Sequence, residues 1–157
     1  MAYYTIIPSP VGEITLLSAD GVSLAGLWLD SQKPETEGAE KAEYLPVFAE
    51  TQNWLNRYFA GEKPLPEEIP LKPAGTAFQR QVWNVLRRIP YGTTVSYGEI
   101  AEEIGCRSAQ AVGQAVGRNP LSVIVPCHRV IGKNGSLTGY AGGLDKKREL
   151  LKLEGIL

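Results

Sequence analysis

The stretch VIVPCHRVIG, residues 123–132, places a thiol, an imidazole and a guanidinium inside a run of aliphatic residues. Cys127 is one of two cysteines in the chain, and His128 is its only histidine. The thiolate rather than the thiol is the nucleophile, and an imidazole can accept the thiol proton directly or through one water. The pair therefore indicates nucleophilic chemistry at a sulfur that is held away from solvent.

Side chains of consecutive residues in an extended segment point to opposite faces, so Cys127 and His128 can cooperate only where the backbone bends. Pro126 fixes its own φ and favours an extended Val125, which is consistent with such a bend. The imidazole also needs an orienting acceptor, and Glu154, at the end of the last helix, is a candidate that the sequence alone does not single out. The alternative is a structural pair, in which the cysteine packs as a small hydrophobe and the histidine binds a backbone carbonyl.

Composition bounds the class of protein. The 157 residues are 43% hydrophobic and 21% charged, which is typical of one or two small globular domains, and no segment approaches the roughly 20 apolar residues of a membrane span. The first residues lack the basic and apolar regions of a secretory signal, and two cysteines make no disulfide framework, so we expect a cytoplasmic protein. Cys106, Cys127 and His128 lack the spacing of a zinc site, so we predict no metal.

The first half of the chain predicts a small antiparallel sheet covered by one helix. The strand-like runs are YYTIIP, GEITLLSA and VSLAGLWLD, and the turn signal Asp20-Gly21 separates the last two. Residues 45–61 carry apolar side chains at helical spacing. Residues 61–75 contain four of the eleven prolines and predict an ordered or extended linker at the end of an N-terminal domain, residues 1–72.

The second half, residues 73–157, predicts a mostly helical domain. Thr76 and Gln79 lie in capping-box register, and Ser96 and Glu99 repeat the pattern at the start of a second helix. That helix, a short turn containing glycine and a third helix form a helix-turn-helix pattern. A final short helix lies within GGLDKKRELLKLEG, with Leu144, Arg148 and Leu151 on one side.

Charge is divided unequally along the chain. Residues 1–71 hold four basic and eleven acidic residues, a net charge of −7, and residues 72–157 hold twelve basic and six acidic residues, a net charge of +6. A basic helix-turn-helix domain favours nucleic-acid binding, and chance segregation of surface charge is the alternative. The second helix of the motif offers Gln110 and Gln114 among Ala and Gly, which favours shape-based contact over the reading of base edges.

The segment IVPCHRVIG resembles the active-site segment of the O6-alkylguanine-DNA alkyltransferases, or methylated-DNA–protein-cysteine methyltransferases, whose signature is Pro-Cys-His-Arg-Val. FQRQVWNVLRRIPYGTTVSYGEIA, AVGQAVGRNP and LTGYAGGLDKKRELLKLEG also fall in the order and spacing of that family. The resemblance is strong over residues 76–157, and the N-terminal half is similar in length and layout. It implies an α+β protein with a ribonuclease H-like N-terminal domain and a C-terminal winged-helix or helix-turn-helix domain that carries the active site.

The resemblance implies roles for five residues at the reaction centre. Cys127 would accept the alkyl group, His128 would take its proton through a bridging water, and Glu154 would orient the imidazole. Asn119 would tie the helix-turn-helix to the active-site segment. Tyr97 would crowd the phosphate that rotates the nucleotide out of the duplex, and would assist protonation of the leaving guanine.

The resemblance also implies contacts with the DNA and with the extruded base. The family usually carries an arginine where this chain has Gln110, and glutamine brings no charge, so we expect weaker affinity for the duplex. The zinc ligands found near the N-terminus of some members are absent from this sequence. The residues expected to bind DNA or the base are Ser108, Gln110, Ala111, Gly113, Gln114, Arg118, Val130, Tyr140, Ala141 and Lys147.

The expected reaction is DNA repair by direct reversal. The alkyl group of O6-alkylguanine, with O4-alkylthymine as a second candidate, would move irreversibly to Cys127, once per molecule and without a cofactor. The expected partner is double-stranded DNA with alkylated bases, contacted in the minor groove through the helix-turn-helix. We expect a cytoplasmic monomer that joins the nucleoid when it binds DNA and that has no membrane partner.

Three other classes of protein share part of this pattern. A lesion-binding relative without the acceptor cysteine would bind DNA and remain unmodified, and the presence of Cys127 argues against it. A thiol hydrolase that uses Cys, His and Glu would turn over, whereas an alkyl acceptor stops after one equivalent. A winged-helix regulator would need side chains that read base sequence and would need no nucleophile.

Overall fold

The computed structural model describes residues 1–137, 139–140 and 142–157. The chain forms two compact units, Met1–Ala74 and Gly75–Leu157, and each has its own set of buried apolar side chains. Among the described residues, no helix has both the length and the apolar character needed to cross a bilayer.

The first unit contains a four-stranded sheet in the order β3-β2-β1-β4. Its first three strands pair antiparallel, as the sequence predicts, and the residues of β2 alternate between buried and half-buried. The short β4 pairs parallel with β1, so the sheet is mixed rather than purely antiparallel. Both residues of β4 are exposed, which explains why the sequence shows no alternating pattern there. The strands are β1 (Tyr3–Ile7), β2 (Ile14–Ser18), β3 (Gly26–Leu29) and β4 (Glu40–Lys41).

One helix, α1 (Pro46–Phe59), supplies most of the remaining core of the first unit. Trp54 stacks on Tyr58 with 5.7 Å between ring centroids, and its indole N–H donates to the Leu65 carbonyl over 2.8 Å. The proline-rich segment that follows α1 is therefore held against it rather than left as a free linker. The buried residues of α1 are Val47, Phe48, Thr51, Trp54, Leu55 and Tyr58.

The second unit is mostly helical, as predicted. Its two short strands pair parallel with each other, and a one-turn 3-10 helix, Cys127–Arg129, leads directly into the second of them. The elements are α2 (Ala77–Arg87), β5 (Val95–Ser96), α3 (Tyr97–Ile104), α4 (Ala109–Gly117), β6 (Val130–Ile131) and α5 (Leu144–Leu153).

Local capping residues define the helix-turn-helix formed by α3 and α4. Ser96 and Glu99 form the predicted capping box at the start of α3, and Gly105 ends that helix with a φ of 72°, a conformation that favours glycine. The hydroxyl of Ser108 accepts from the N–H of Ala111 and so caps α4. These boundaries confirm the helix-turn-helix expected from the sequence.

The final helix, α5, forms as the sequence predicts, and its residues differ in burial. Leu144 is 43% exposed and Arg148 is exposed, whereas Leu151 is buried. Lys147 takes an interior position because its ammonium group donates to the Val130 carbonyl over 2.6 Å, which offsets the cost of burying the charge. A pattern of apolar residues alone does not show such a buried polar position.

Candidate active site

The backbone bends at Pro126 and brings Cys127 and His128 into one turn of 3-10 helix. Pro126 has φ −80° and ψ 67°, and the N–H of Cys127 donates to the carbonyl of Val125 over 2.8 Å, which is the geometry of an inverse γ-turn. The bend that cooperation between the two side chains requires is therefore present. Cys127 is 5% exposed and His128 is fully buried.

The imidazole of His128 faces the carboxylate of Glu154. Nε2 of His128 lies 2.6 Å from Oε2 of Glu154, and the N–H of Gly92 donates to Oε1 over 3.0 Å. Burial alone would raise the pKa of Glu154, but hydrogen bonds from His128 and Arg129 outweigh it and lower that pKa to about 2. The carboxylate is therefore ionised at neutral pH.

The environment of His128 keeps its ring neutral. Burial lowers the pKa of His128, and the favourable effect of the Glu154 carboxylate only partly opposes that change. A neutral ring that faces an ionised carboxylate through Nε2 carries its hydrogen on that nitrogen. The other nitrogen, Nδ1, is buried and is then the basic atom of the ring. His128 is thus arranged as a proton acceptor.

The surroundings of Cys127 have opposing effects on the pKa of its thiol. Burial raises the pKa of the thiol, whereas a hydrogen bond from Asn119, the positive charge of Lys147 and the facing Tyr140 hydroxyl lower it. Burial has the largest effect, so the resting side chain is a thiol that needs a base. Once the proton has left, these same three groups stabilise the anion.

Asn119 connects the end of α4 to the segment that leads to Cys127. Its Oδ1 accepts from the N–H of Leu121 over 3.0 Å, and its Nδ2 donates to the carbonyl of Val125 over 2.8 Å. Between these two contacts, Val123 is buried with a φ of 72°, which is a strained conformation for a β-branched residue. The amide of Asn119 brackets this strained turn on both sides.

A cavity of about 130 Å³ opens onto Cys127 between α3, α4 and the described part of the loop before α5. The hydroxyl of Tyr97 lies 3.4 Å from the carbonyl of Gly139 across one side of it. Gly113 faces the Tyr97 ring, and a Cβ at position 113 would lie 3.8 Å from that ring. Two tyrosines and two glycines of α4 are among the residues that line the cavity. Its lining residues are Tyr97, Gly113, Val116, Gly117, Cys127, Gly139 and Tyr140.

Apart from Ala141, the structure separates the residues expected from the sequence into four groups. Cys127, Tyr97, Gly113 and Tyr140 line the cavity, and the buried residues that support it are His128, Glu154, Asn119, Lys147 and Val130. Ala111 is half-buried on α4, and Ala141 lies outside the described residues. The exposed residues on or next to α4 are Ser108, Gln110, Gln114 and Arg118.

Two groups that bind Glu154 were not assigned a role from the sequence. Arg129 directs Nε to Oε1 of Glu154 over 2.8 Å and Nη2 to Oε2 over 3.0 Å. Gly92 contributes only its backbone N–H, for which a sequence gives no signal. The signal for Arg129 was its place inside the aliphatic run, where a guanidinium needs an anionic partner.

Among the residues that the structure describes, no group of three or more His, Cys, Asp or Glu side chains is placed to hold a metal ion. The polar side chains that act on Cys127 are an amide, an ammonium and a phenol hydroxyl, and the imidazole of His128 belongs to the same turn. Such a set can accept a proton and stabilise a sulfur anion.

Comparison with known proteins matches both units. Residues 77–156 match the family described as 6-O-methylguanine DNA methyltransferase, DNA binding domain, and residues 2–73 match the ribonuclease-like domain of the same family.

Similar proteins match over almost the whole chain. A methylated-DNA–protein-cysteine methyltransferase of Methanosarcina acetivorans is 50% identical over 155 residues, which cover 98% of each chain. One from Haemophilus influenzae is 47% identical over 157 residues, 98% of this chain and 87% of the relative. The crystal structure of Mycobacterium tuberculosis OGT in complex with DNA matches with a TM-score of 0.87 at 46% identity, over 97% of this chain and 92% of that chain. This chain therefore belongs to the 6-O-methylguanine DNA methyltransferase family.

Proposed function

We propose that this protein repairs double-stranded DNA by direct reversal, moving the alkyl group of O6-alkylguanine to the sulfur of Cys127 once per molecule. Family membership supports the substrate class. One observation carries the choice of acceptor. Cys127 lines the cavity, and the next residue, His128, is a buried base held by Glu154.

The reaction begins when the Cys127 thiol loses its proton. His128 accepts the proton at Nδ1, directly or through one water, and the carboxylate of Glu154 stabilises the imidazolium that forms. The amide of Asn119 and the ammonium of Lys147 stabilise the sulfur anion. Each of these groups is buried, so its electrostatic effect is stronger than it would be in water.

The sulfur then attacks the saturated carbon on guanine O6. A sulfur–carbon bond forms as the carbon–oxygen bond breaks, and the electron pair passes to the purine. Guanine N1 gains one proton, which balances the proton that the thiol lost. Tyr97, which lines the cavity, assists this protonation. Water does not cleave the resulting thioether, so each molecule acts once and needs no cofactor.

The reacting atom lies within the base stack, so the nucleotide must rotate out of the duplex to reach the cavity. The exposed side of α4 presents Gln110 and Gln114, with Arg118 following at the end of the helix. Its small residues, Ala111 and Gly113 among them, allow close approach to the minor groove. We assign the chemistry and the DNA contacts to residues 73–157.

We further assign the protein to the cytoplasm as a monomer that joins the nucleoid when bound to DNA. Residues 1–72 form the N-terminal domain of this assignment, with the proline-rich segment at its end. A reducing compartment keeps Cys127 available as a thiol, which the proposed chemistry requires.

The proposal is tested by counting lesions removed per protein molecule from an excess of duplex that carries one O6-methylguanine. We expect removal to stop at one equivalent. Cys127→Ser should remove none and still bind the duplex, and the matched control Cys106→Ser should equal the native protein. Continued turnover would identify a hydrolase, and binding without removal by the native protein would identify a lesion-binding protein.

A further inference from the structure

Arg129 lies outside the cavity lining but contacts the group that orients the base. We propose that Arg129 is a positioning residue for alkyl transfer, which fixes the Glu154 carboxylate against His128 and balances its charge. This inference rests on the proposed function, because it concerns how the base of that reaction is kept ready.

Arg129 and Glu154 form a bidentate salt bridge. Nε of Arg129 lies 2.8 Å from Oε1 of Glu154, and Nη2 lies 3.0 Å from Oε2. The flat guanidinium matches the flat carboxylate, so the two bonds fix both the position and the plane of the carboxylate. Oε2, which Nη2 binds, is also the oxygen that lies 2.6 Å from Nε2 of His128.

Arg129 is itself held from two sides. Its Nη1 donates to the carbonyl of Ile89 over 2.7 Å, and its guanidinium carbon lies 5.7 Å from the centre of the Tyr91 ring. Both partners belong to the connection between α2 and β5, whereas Glu154 ends α5. Arg129 therefore connects Glu154, which accepts the hydrogen bond from His128, to the α2–β5 connection.

Burial makes the charge of Arg129 consequential. The side chains of His128 and Glu154 are fully buried, and that of Arg129 is 8% exposed. Without the guanidinium, the Glu154 carboxylate would face His128 with an unbalanced negative charge in a medium of low dielectric constant. That charge would hold a proton on the imidazole, and a protonated imidazole cannot accept the proton of Cys127.

The charges around His128 agree with this expectation, because Arg129 is among the groups that lower the pKa of His128. Burial is the main cause that lowers the pKa of His128, Glu154 raises it, and Arg129 and Lys147 lower it. Lys147 directs its ammonium to the Val130 carbonyl, whereas Arg129 directs its fork to Glu154. The charged groups that act on His128 are Arg129 in its own turn, Lys147 in α5 and Glu154 directly after that helix, and the thiol of Cys127 belongs to the same turn. Tyr91, in the α2–β5 connection, interacts with Glu154 and Arg129.

The test uses the fact that His128 is the only histidine, so nitrogen NMR of protein with labelled histidine reports one imidazole. The variants are Arg129→Met, which removes the positive charge, and Arg129→Lys, which keeps the charge but cannot form the two parallel hydrogen bonds of a guanidinium. We expect the native ring to be neutral with its hydrogen on Nε2. In Arg129→Met the ring should become protonated at a higher pH than in the native protein, and in Arg129→Lys the titration should stay near the native one.

Single-turnover rates across pH complete the test. Arg129→Met should move the acid limb of the rate profile to higher pH, with a rate roughly tenfold lower than native near pH 6 and a smaller deficit near pH 8. Arg129→Lys should be roughly tenfold slower without a shift of the profile. Arg57→Met, which removes an exposed ion-paired arginine, should match the native protein in both measurements.

Two results would overturn the inference: an Arg129→Met titration that coincides with the native one, or an Arg129→Lys rate equal to native. If Arg129→Met does not fold, Arg129→Lys alone provides the test. A lower transfer rate in Arg129→Lys, with His128 titrating at the native pH, would support the positioning role of the two hydrogen bonds. The NMR comparison needs no DNA. A native protein that transfers no methyl group would therefore refute the proposed function and leave the titration comparison readable.

Discussion

Nδ2 of Asn119 donates a hydrogen bond to the carbonyl oxygen of Val125 over 2.8 Å, and this bond joins the end of the helix-turn-helix to the turn that carries Cys127. The same amide accepts from the N–H of Leu121. The end of α4 and the position of Cys127 are thus linked through one buried side chain.

Asn119→Ala should weaken both the fold and the reaction. It leaves the Leu121 N–H and the Val125 carbonyl without this partner in a buried segment, which should cost about 2 kcal/mol of unfolding free energy. It also removes a group that stabilises the sulfur anion, so single-turnover transfer should slow. Urea denaturation and rapid-quench kinetics measure the two effects. Asn53→Ala, at an exposed position of α1, is the control, and equal stability of the two variants would contradict the account.

Glu154 should make the stability of the fold depend on pH in the acid range. Its pKa is about 2 in the folded protein against 4.5 as an ordinary value, so the unfolded chain takes up the proton first as the pH falls. The stabilisation is complete above about pH 4.5 and is lost as the pH falls towards about 2. Urea denaturation at a series of pH values should show this loss in the native protein.

Glu154→Gln should remove that part of the pH dependence. At pH 7 it should also cost about 3 kcal/mol, since it leaves the Arg129 guanidinium buried without its carboxylate. Glu50→Gln, at an exposed position, should follow the native curve. Parallel curves for the native protein and Glu154→Gln between pH 5 and 2 would show that this carboxylate is not the source.

Gln110→Arg should strengthen binding to lesion-bearing duplex. Gln110 is exposed on α4, and an arginine there adds one positive charge where the DNA is expected to lie. The affinity should rise and the slope of log affinity against log salt should steepen by up to about 0.9. Fluorescence anisotropy in a Cys127→Ser background separates binding from transfer. Gln52→Arg, exposed in the first unit, controls for added charge, and equal dissociation constants for native and Gln110→Arg across salt would refute the prediction.

The sequence was sufficient wherever local chemistry determines structure. The capping boxes at Thr76 and Ser96 involve residues three positions apart, so their pattern is visible in the sequence. Cys127 and His128 were noticeable because both residue types are rare in this chain and adjacent. The alternating burial of β2 likewise follows from a period of two.

The sequence was insufficient where distant residues meet. Gly92, Arg129 and Glu154 converge over separations of up to 62 residues, and Gly92 takes part through its backbone alone. The buried side of α5 could not be read from apolar spacing because Lys147 occupies it, satisfied by a backbone carbonyl. A two-residue exposed strand such as Glu40–Lys41 has no periodicity to detect.

Intact-mass spectrometry of the protein after incubation with O6-methylguanine duplex, followed by peptide mapping, tests the acceptor most directly. We predict a single gain of about 14 Da, the mass of one CH₂, on the peptide that contains Cys127 and none on the peptide that contains Cys106. A lesion that disappears while the mass of the protein stays unchanged, or a gain that maps to any residue other than Cys127, would contradict the account.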